Sequence, residues 1–431
     1  MTRRLFRRQL LIAGVAGGTG LAGLAGAAGL ASRPGRAGES AAGSPASPSG
    51  PLPPLPTAVA GLPAGQHVWE PVLRRDEHGN PVAPQRHRLL LLNVAATPTP
   101  GRVRQLEAIL RQIESRWPWR PGGLLHVLGW GPGYFRRYTR GDPPVPDPCP
   151  LAAEETPTLD DYDACLHLAG DDPHIVETAA RALTGQHADP AHADLSLTEV
   201  FTVGEVRTGF VGTGLPAAHQ QVSGLPARHP VDPRSPLYMG YASGYRRNQA
   251  TETDVTITAG PLAGGTTMHV SRVRLRLDSW YDLLDPDQRA ARMFAPPIRD
   301  TDVDGFTDSA PTHADTLDVT ASRYGVVGHL QAAAGARLNG RPRILRRDFN
   351  TDDDGDAGLH FVALQRTIAD FEATRAAMNA AAATYDNPAI TAEVNNGIQE
   401  FMLVTNRGNY LVPPRARRSF PLLDGQTEAL T

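Results

Sequence analysis

His329 stands in a run of small side chains, "GHLQAAAGAR", and seventeen residues later "RILRRDFN" supplies Arg346, Arg347 and Asp348. A neutral imidazole is a good axial ligand for haem iron. Small residues after it would let a flat ligand come close. An arginine on the opposite side could stabilise the charge that develops as the O–O bond of a peroxide breaks. The arginines read as lying on a strand, where residues i and i+2 share a face. Asp348 is thus expected beside Arg346, where it could move a proton. The plainer alternatives are that it only pairs with an arginine, or that it belongs to the acidic turn after it.

Other motifs carry less. "GWGPGY" (129–134) is glycine-rich after a strand but lacks the Gly-Lys-Ser/Thr of a P-loop, and no capped helix is expected after it. There is no Gly-x-Ser-x-Gly and no His-Glu-x-x-His. "HADPAHAD" (187–194) offers His187 and His192 to a metal, or is a solvated loop. "DTDVDG" (300–305) and "NTDDDG" (350–355) begin like calcium loops, but Pro311 and Phe361 stand where the bidentate acid belongs, so acidic turns are the simpler reading. Cys149 and Cys165 are too few for a zinc or iron–sulfur centre; they suit one disulfide or two thiols.

The elements that must position these residues follow from hydrophobic patterning. Strands are predicted over 86–96, 123–132, 161–170 and 197–206, with helices over 100–117 and 173–183. That β-α-β-β-α-β order is the split βαβ, or ferredoxin-like, unit. The second half repeats it loosely. It has strands over 266–277, 342–350, 359–365 and 398–406, and helices over 279–294 and 367–383. The fold expected is α+β: two tandem ferredoxin-like domains with antiparallel sheets, at 66–206 and 207–431.

The N-terminus, "TRRLFRRQLLIAGVAGG", reads as a twin-arginine signal over 1–31. Its glycines make it a poor membrane helix. Residues 32–65, rich in Pro, Gly, Ala and Ser, read as a disordered linker. The protein is therefore expected to leave the cell by the twin-arginine machinery, to the periplasm, the cell envelope or the outside. At 431 residues with a formal net charge of −3, nothing draws it to nucleic acid. All 42 basic residues are arginine, which suits bidentate contacts to carboxylates.

Across residues 86–411 the chain resembles the dye-decolorizing (DyP-type) haem peroxidases, in their exported deferrochelatase/peroxidase-like branch. "LHVLGWGPGYFRR", "CLHLAGDDPHIVETAARAL", "GGTTMHVSRVRLRLDSW", "GHLQAAAGAR", "RILRRDFN" and "GLHFVALQRTIADF" resemble that family's motifs, in the family's order. The resemblance implies one haem b per chain, in a pocket of the C-terminal domain, with hydrogen peroxide and an organic reductant as substrates. It makes His329 the iron ligand and Arg346 the distal arginine. It brings Arg276, Thr213, Gly214, Leu215, Ala334, Gly335 and Ala336 to the haem, and gives Arg337 a propionate. One departure matters. The family's Gly-x-x-Asp-Gly reads "GFVGTG" (209–214) here, with Gly212 at the acid's place. Asp348 could compensate. The alternative is a haem-binding or haem/iron-handling protein with weak or no peroxidase activity.

Overall fold

The computed structural model describes residues 54–186, 189–302, 317–383 and 387–430. The signal at 1–31, most of the linker, His187 and half of the first acidic loop lie outside the described residues. The described residues form one compact unit.

Among the described residues there are ten strands: β1 (Arg86–Val94), β2 (Leu125–Trp130), β3 (Thr158–Leu159), β4 (Ala164–Gly170), β5 (Phe201–Phe210), β6 (Thr266–Leu275), β7 (Leu345–Arg346), β8 (Phe349–Thr351), β9 (Gly358–Gln365) and β10 (Met402–Val412). They belong to one sheet in the order β2-β4-β1-β5-β8-β9-β6-β10-β3, with β7 on β9. All ladders are antiparallel except the short β3–β10 pair. A further β2–β10 pairing closes the sheet into a barrel. The fold is thus α+β with an antiparallel sheet, as the patterning implied, but the strands of both halves share a single sheet.

Strand alternation sorts the core. Leu89 and Leu91 of β1, Val127 of β2, Met268 and Val270 of β6, Val362 of β9 and Tyr410 of β10 fill the barrel. Leu90 and Leu92 face the other way, onto the helices Pro100–Arg116 and Pro173–Leu183. The first helix starts where the sequence suggests: Thr99 caps it by accepting from the Arg102 amide, with Pro100 in the first turn.

Several boundaries differ from expectation for local reasons. The helix expected over 279–294 is two, Leu277–Asp282 and Pro286–Met293, because Pro286 starts a new turn inside an Asp285–Gln288 capping box. A short helix, Pro132–Tyr138, does follow "GWG"; it has no side-chain cap and is held by burial of Tyr134 and Phe135. The strand expected over 342–350 is broken into β7 and β8 at Arg347–Asp348. The final strand begins at Met402 rather than at 398. Among the described residues no helix is long and apolar enough to cross a membrane.

Candidate functional site

On the outer face of the second half of the sheet, three strands present every second residue to one apolar cavity. Ser271, Val273 and Leu275 come from β6, and Leu359 and Phe361 from β9. From β10 come Met402, Val404 and Arg407. The step from 404 to 407 breaks simple alternation. A β-bulge at Thr405 leaves that residue unpaired, so Val404 opposes Val273 and Arg407 opposes Ser271. The roof is the helix His329–Ala334, the helix Ile368–Ala383 and the segment around 237–245.

His329 sits at the N-terminus of its helix, half-buried, with its open side on this cavity. Two glycines seat it. A Cβ on Gly328 would lie 2.0 Å from the Phe294 carbonyl oxygen, and one on Gly397, at φ +60°, 2.9 Å from the His329 Cα. The imidazole pKa is pushed down to about 3, chiefly by desolvation and then by Arg346 and Arg375. His329 is therefore neutral at any ordinary pH, the form that binds a metal.

Arg346 and Asp348 line the same cavity, and Arg347 between them does not. The i, i+2 spacing thus survives the break between β7 and β8. Arg346 Nε donates to Ser243 Oγ at 3.2 Å and Nη1 to the Asn248 carbonyl at 3.1 Å. Burial pushes the Arg346 pKa down, opposed by Asp348 and Tyr245. Asp348 is buried, and its Oδ1 has no hydrogen-bond partner. Burial raises its pKa; Arg346 and the Ser243 hydroxyl act the other way. Arg347 points to the opposite side, 3.9 Å from the Trp69 ring centroid and 2.8 Å from Glu252.

The remaining predicted residues are spread out. Thr213 lines a second, more polar cavity that shares Arg346, Asp348, Ser243 and Tyr245 with the first. Gly214 caps a short helix that begins at Leu215, and Leu215 packs on the apolar cluster beside the main cavity. Ala334, Ala336 and Arg337 line a third small cavity reached by Leu330 and Arg346. Gly335 is exposed, and so is Arg276, which donates to the Glu400 carbonyl. Gly212 lines the second cavity at φ +140°, a conformation that side chains rarely adopt.

Other motifs are absorbed by the protein itself. His192 contacts Arg116 at 2.7 Å. In the 350–355 loop Asp352 pairs with His219, Asp353 accepts from Thr208 and His360, and Asp354 pairs with Arg272. No group of metal-ligating side chains gathers among the described residues. Cys149 is exposed and Cys165 buried, both as free thiols.

Two cavity residues were not singled out from the sequence, Arg375 and Arg407. The spacing Phe371–Arg375–Met378 on an amphipathic helix would have signalled that Arg375 shares the apolar face. Arg407 carries no such signal, because the bulge decides its direction.

The residues fit a haem. The cavity is apolar, it offers a neutral imidazole, and it holds two buried polar atoms without partners, Asp348 Oδ1 and Arg375 Nε.

The fold is that of the DyP-type peroxidases. The chain is similar to the encapsulated DyP-type peroxidase of Mycobacterium smegmatis (15% identity, TM-score 0.53, covering 82% of this chain and 98% of that one). It is similar to the dye-decolorizing peroxidase of Bacteroides thetaiotaomicron (13%, TM-score 0.51, 84% and 100%). It is also similar to a DypB variant of Rhodococcus jostii in complex with heme (13%, TM-score 0.52, 83% and 98%). By sequence the chain belongs to a family of unknown function, DUF7405, whose model matches residues 84–414. No curated protein matches it.

Proposed function

We propose that this protein is an exported haem-dependent peroxidase of the dye-decolorizing type, which uses hydrogen peroxide to oxidise an organic reductant. The observation that carries the reading is the convergence of His329, Arg346 and Asp348 on one apolar cavity, on a fold shared with DyP-type peroxidases. His329 would hold the iron of one haem b. The haem, when bound, supplies the redox chemistry that cleaves peroxide. Asp348 takes a proton at Oδ1 and returns it to the leaving oxygen, while the Arg346 guanidinium stabilises the negative charge that develops. The apolar lining keeps water away from both.

The finer architecture belongs to the same proposal. Each half has the strand order second-third-first-fourth: β2-β4-β1-β5, then β8-β9-β6-β10. That is the ferredoxin-like order in duplicate, with the haem pocket in the second copy. Residues 1–31 direct export through the twin-arginine machinery and the linker from 32 tethers the body, but it ends before 65, because Pro56 already accepts from Arg111, and Pro63 and Ala64 from Arg415. Replacing Arg3 and Arg4 by lysine should leave the protein in the cytoplasm by fractionation.

A second reading, a haem-binding or haem/iron-handling protein of the deferrochelatase-like branch with little peroxidase activity, is favoured by Gly212. Its backbone at φ +140° requires glycine, so no carboxylate stands there.

One experiment orders these readings. Wild type titrated with haem should give a stoichiometric Soret band, and His329→Ala should lose it while keeping its circular dichroism. Full haem retention in that variant removes His329 from the site. Peroxide-dependent dye oxidation by the loaded wild type then separates a peroxidase from a haem carrier.

A further inference from the structure

At the end of the cavity formed by Phe361, Phe371 and Met378, the apolar lining gives way to two guanidiniums, Arg375 and Arg407. Both are held from behind by one carboxylate, Glu155, which does not line the cavity. Arg375 Nη2 donates to Glu155 Oε1 at 2.8 Å, and Arg407 Nη2 to Glu155 Oε2 at 2.7 Å. Arg407 is otherwise satisfied: its Nη1 reaches Ser271 Oγ and His269 Nε2 at 3.3 Å. Arg375 is not, for its Nε is buried without a partner. Two fixed positive charges share one negative charge, and one donor is left over at the wall of an apolar chamber. Burial pushes the Arg375 pKa down, opposed first by Glu155, so the guanidinium carries its charge at a cost. A second carboxylate would supply the missing acceptor and balance the charge.

We propose that this corner is a carboxylate-binding subsite, which orients an apolar ligand by one acid group. The inference rests on the cavity being a ligand site, and it deepens the haem reading by naming Arg375, with Arg407 beside it, as the anchor for a propionate. The same chemistry would hold a free aromatic carboxylic acid acting as reductant. Arg375 is then a positioning residue, and Glu155 a tether that competes with the ligand for it.

Metal-free protoporphyrin IX and its dimethyl ester provide the test, because neither needs an iron ligand. Binding is read by porphyrin fluorescence. Wild type should prefer the diacid by about tenfold to a hundredfold, the range of a charge-assisted hydrogen bond. Arg375→Gln should lose that preference and Arg375→Lys should keep part of it. Glu155→Gln frees the guanidiniums and should strengthen it. A merely structural pair would instead make the glutamine variants at both positions weaken the two porphyrins alike. Equal affinity of folded wild type for diacid and diester overturns the subsite. Failure of the haem reading is visible separately, as loss of a Soret band with iron present while the acid preference persists. The two ligand sources are distinguished in the haem-loaded protein by excess 3-phenylpropionate. An Arg375-dependent Soret shift assigns the corner to a free acid, and no shift assigns it to the propionate.

Discussion

Adjacent arginines in "RILRRDFN" have opposite fates, and the difference is testable. Arg347 is locked between the Trp69 ring, Glu252 and the His67 carbonyl, and Glu252 also accepts from the Trp69 and Glu70 amides. Arg347→Ala leaves Glu252 buried without its cation and should cost about 3–5 kcal/mol in denaturant unfolding. Arg346→Leu should act on chemistry instead, slowing peroxide-driven oxidation by about 10²–10³-fold. The reverse pattern would mean that the faces have been exchanged. Asp348 gives a pH signature. Its folded pKa is raised, so the native state holds a proton that the unfolded chain releases. The stability it contributes is present in acid and lost as pH rises through the folded value. Asp348→Asn should therefore be more stable than wild type at neutral pH, with the gain vanishing in acid. The rate should move the other way. Protonated Asp348 cannot accept a proton, so wild-type turnover falls as pH drops through the same pKa, by up to about 10²–10⁴-fold. The asparagine variant should be slow and flat on that limb. A wild-type profile without the limb would put the proton elsewhere.

At the scale of elements, hydrophobic patterning was enough for the long buried strands and the amphipathic helices. β1, β9 and the helix Pro173–Leu183 lie close to where hydrophobic patterning puts them. Arg346 and Asp348 line one cavity although the strand breaks between them. Patterning failed where a single residue changes the count. Nothing in "MLVTNRGNY" announces that Thr405 is skipped, yet without the skip Asn406 would face the cavity in place of Arg407. Likewise the exposure of Arg276 depends on where β6 stops, one residue before it. The bulge makes an unusual expectation possible. Deleting Thr405 joins Val404 to Asn406 in a regular ladder and still leaves Arg407 on the cavity side. That deletion should fold, keep the diacid preference, and lose only the weak Thr405–Arg272 contact. Deleting Asn409 instead turns Tyr410, Leu411 and Val412 to the wrong faces and should not give soluble protein. Thermal melts of the two deletions compare them directly.

For the whole molecule, the question is whether the two halves stand or fall together. Among the described residues three short strand pairings join them: Phe210 with Asn350, Leu411 with Trp130, and β3 of the first half along β10, Thr158 with Asn406 and Leu159 with Arg407. The first two are each stapled by a buried amide. Asn350 donates to the Phe210 and Pro236 carbonyls, and Gln66 to those of Leu128 and Pro413. Both also need a glycine, since a Cβ at Gly209 would lie 2.1 Å from the Asn350 carbonyl oxygen and one at Gly129 2.8 Å from the Tyr410 Cβ. Inside the barrel, side chains of both halves form one core, with Cys165 of β4 in the same cluster as Val270 and Val362. Thin seams argue for halves that open separately, and the shared core argues for one transition. We expect the core to win, because opening either half exposes the barrel lining of the other. Cys165 reports on it. Its thiol is inaccessible, and burial raises its pKa to about 12. In a Cys149→Ser background, labelling of Cys165 requires the first half to open. Haem bound to the second half stabilises only states in which that half is folded, by about 2.7 kcal/mol at a hundredfold excess over its Kd. If the halves open together, haem should slow Cys165 labelling by about a hundredfold, the full linkage. If the first half opens alone, haem should leave the labelling rate unchanged, and the barrel would be two domains that merely share an edge.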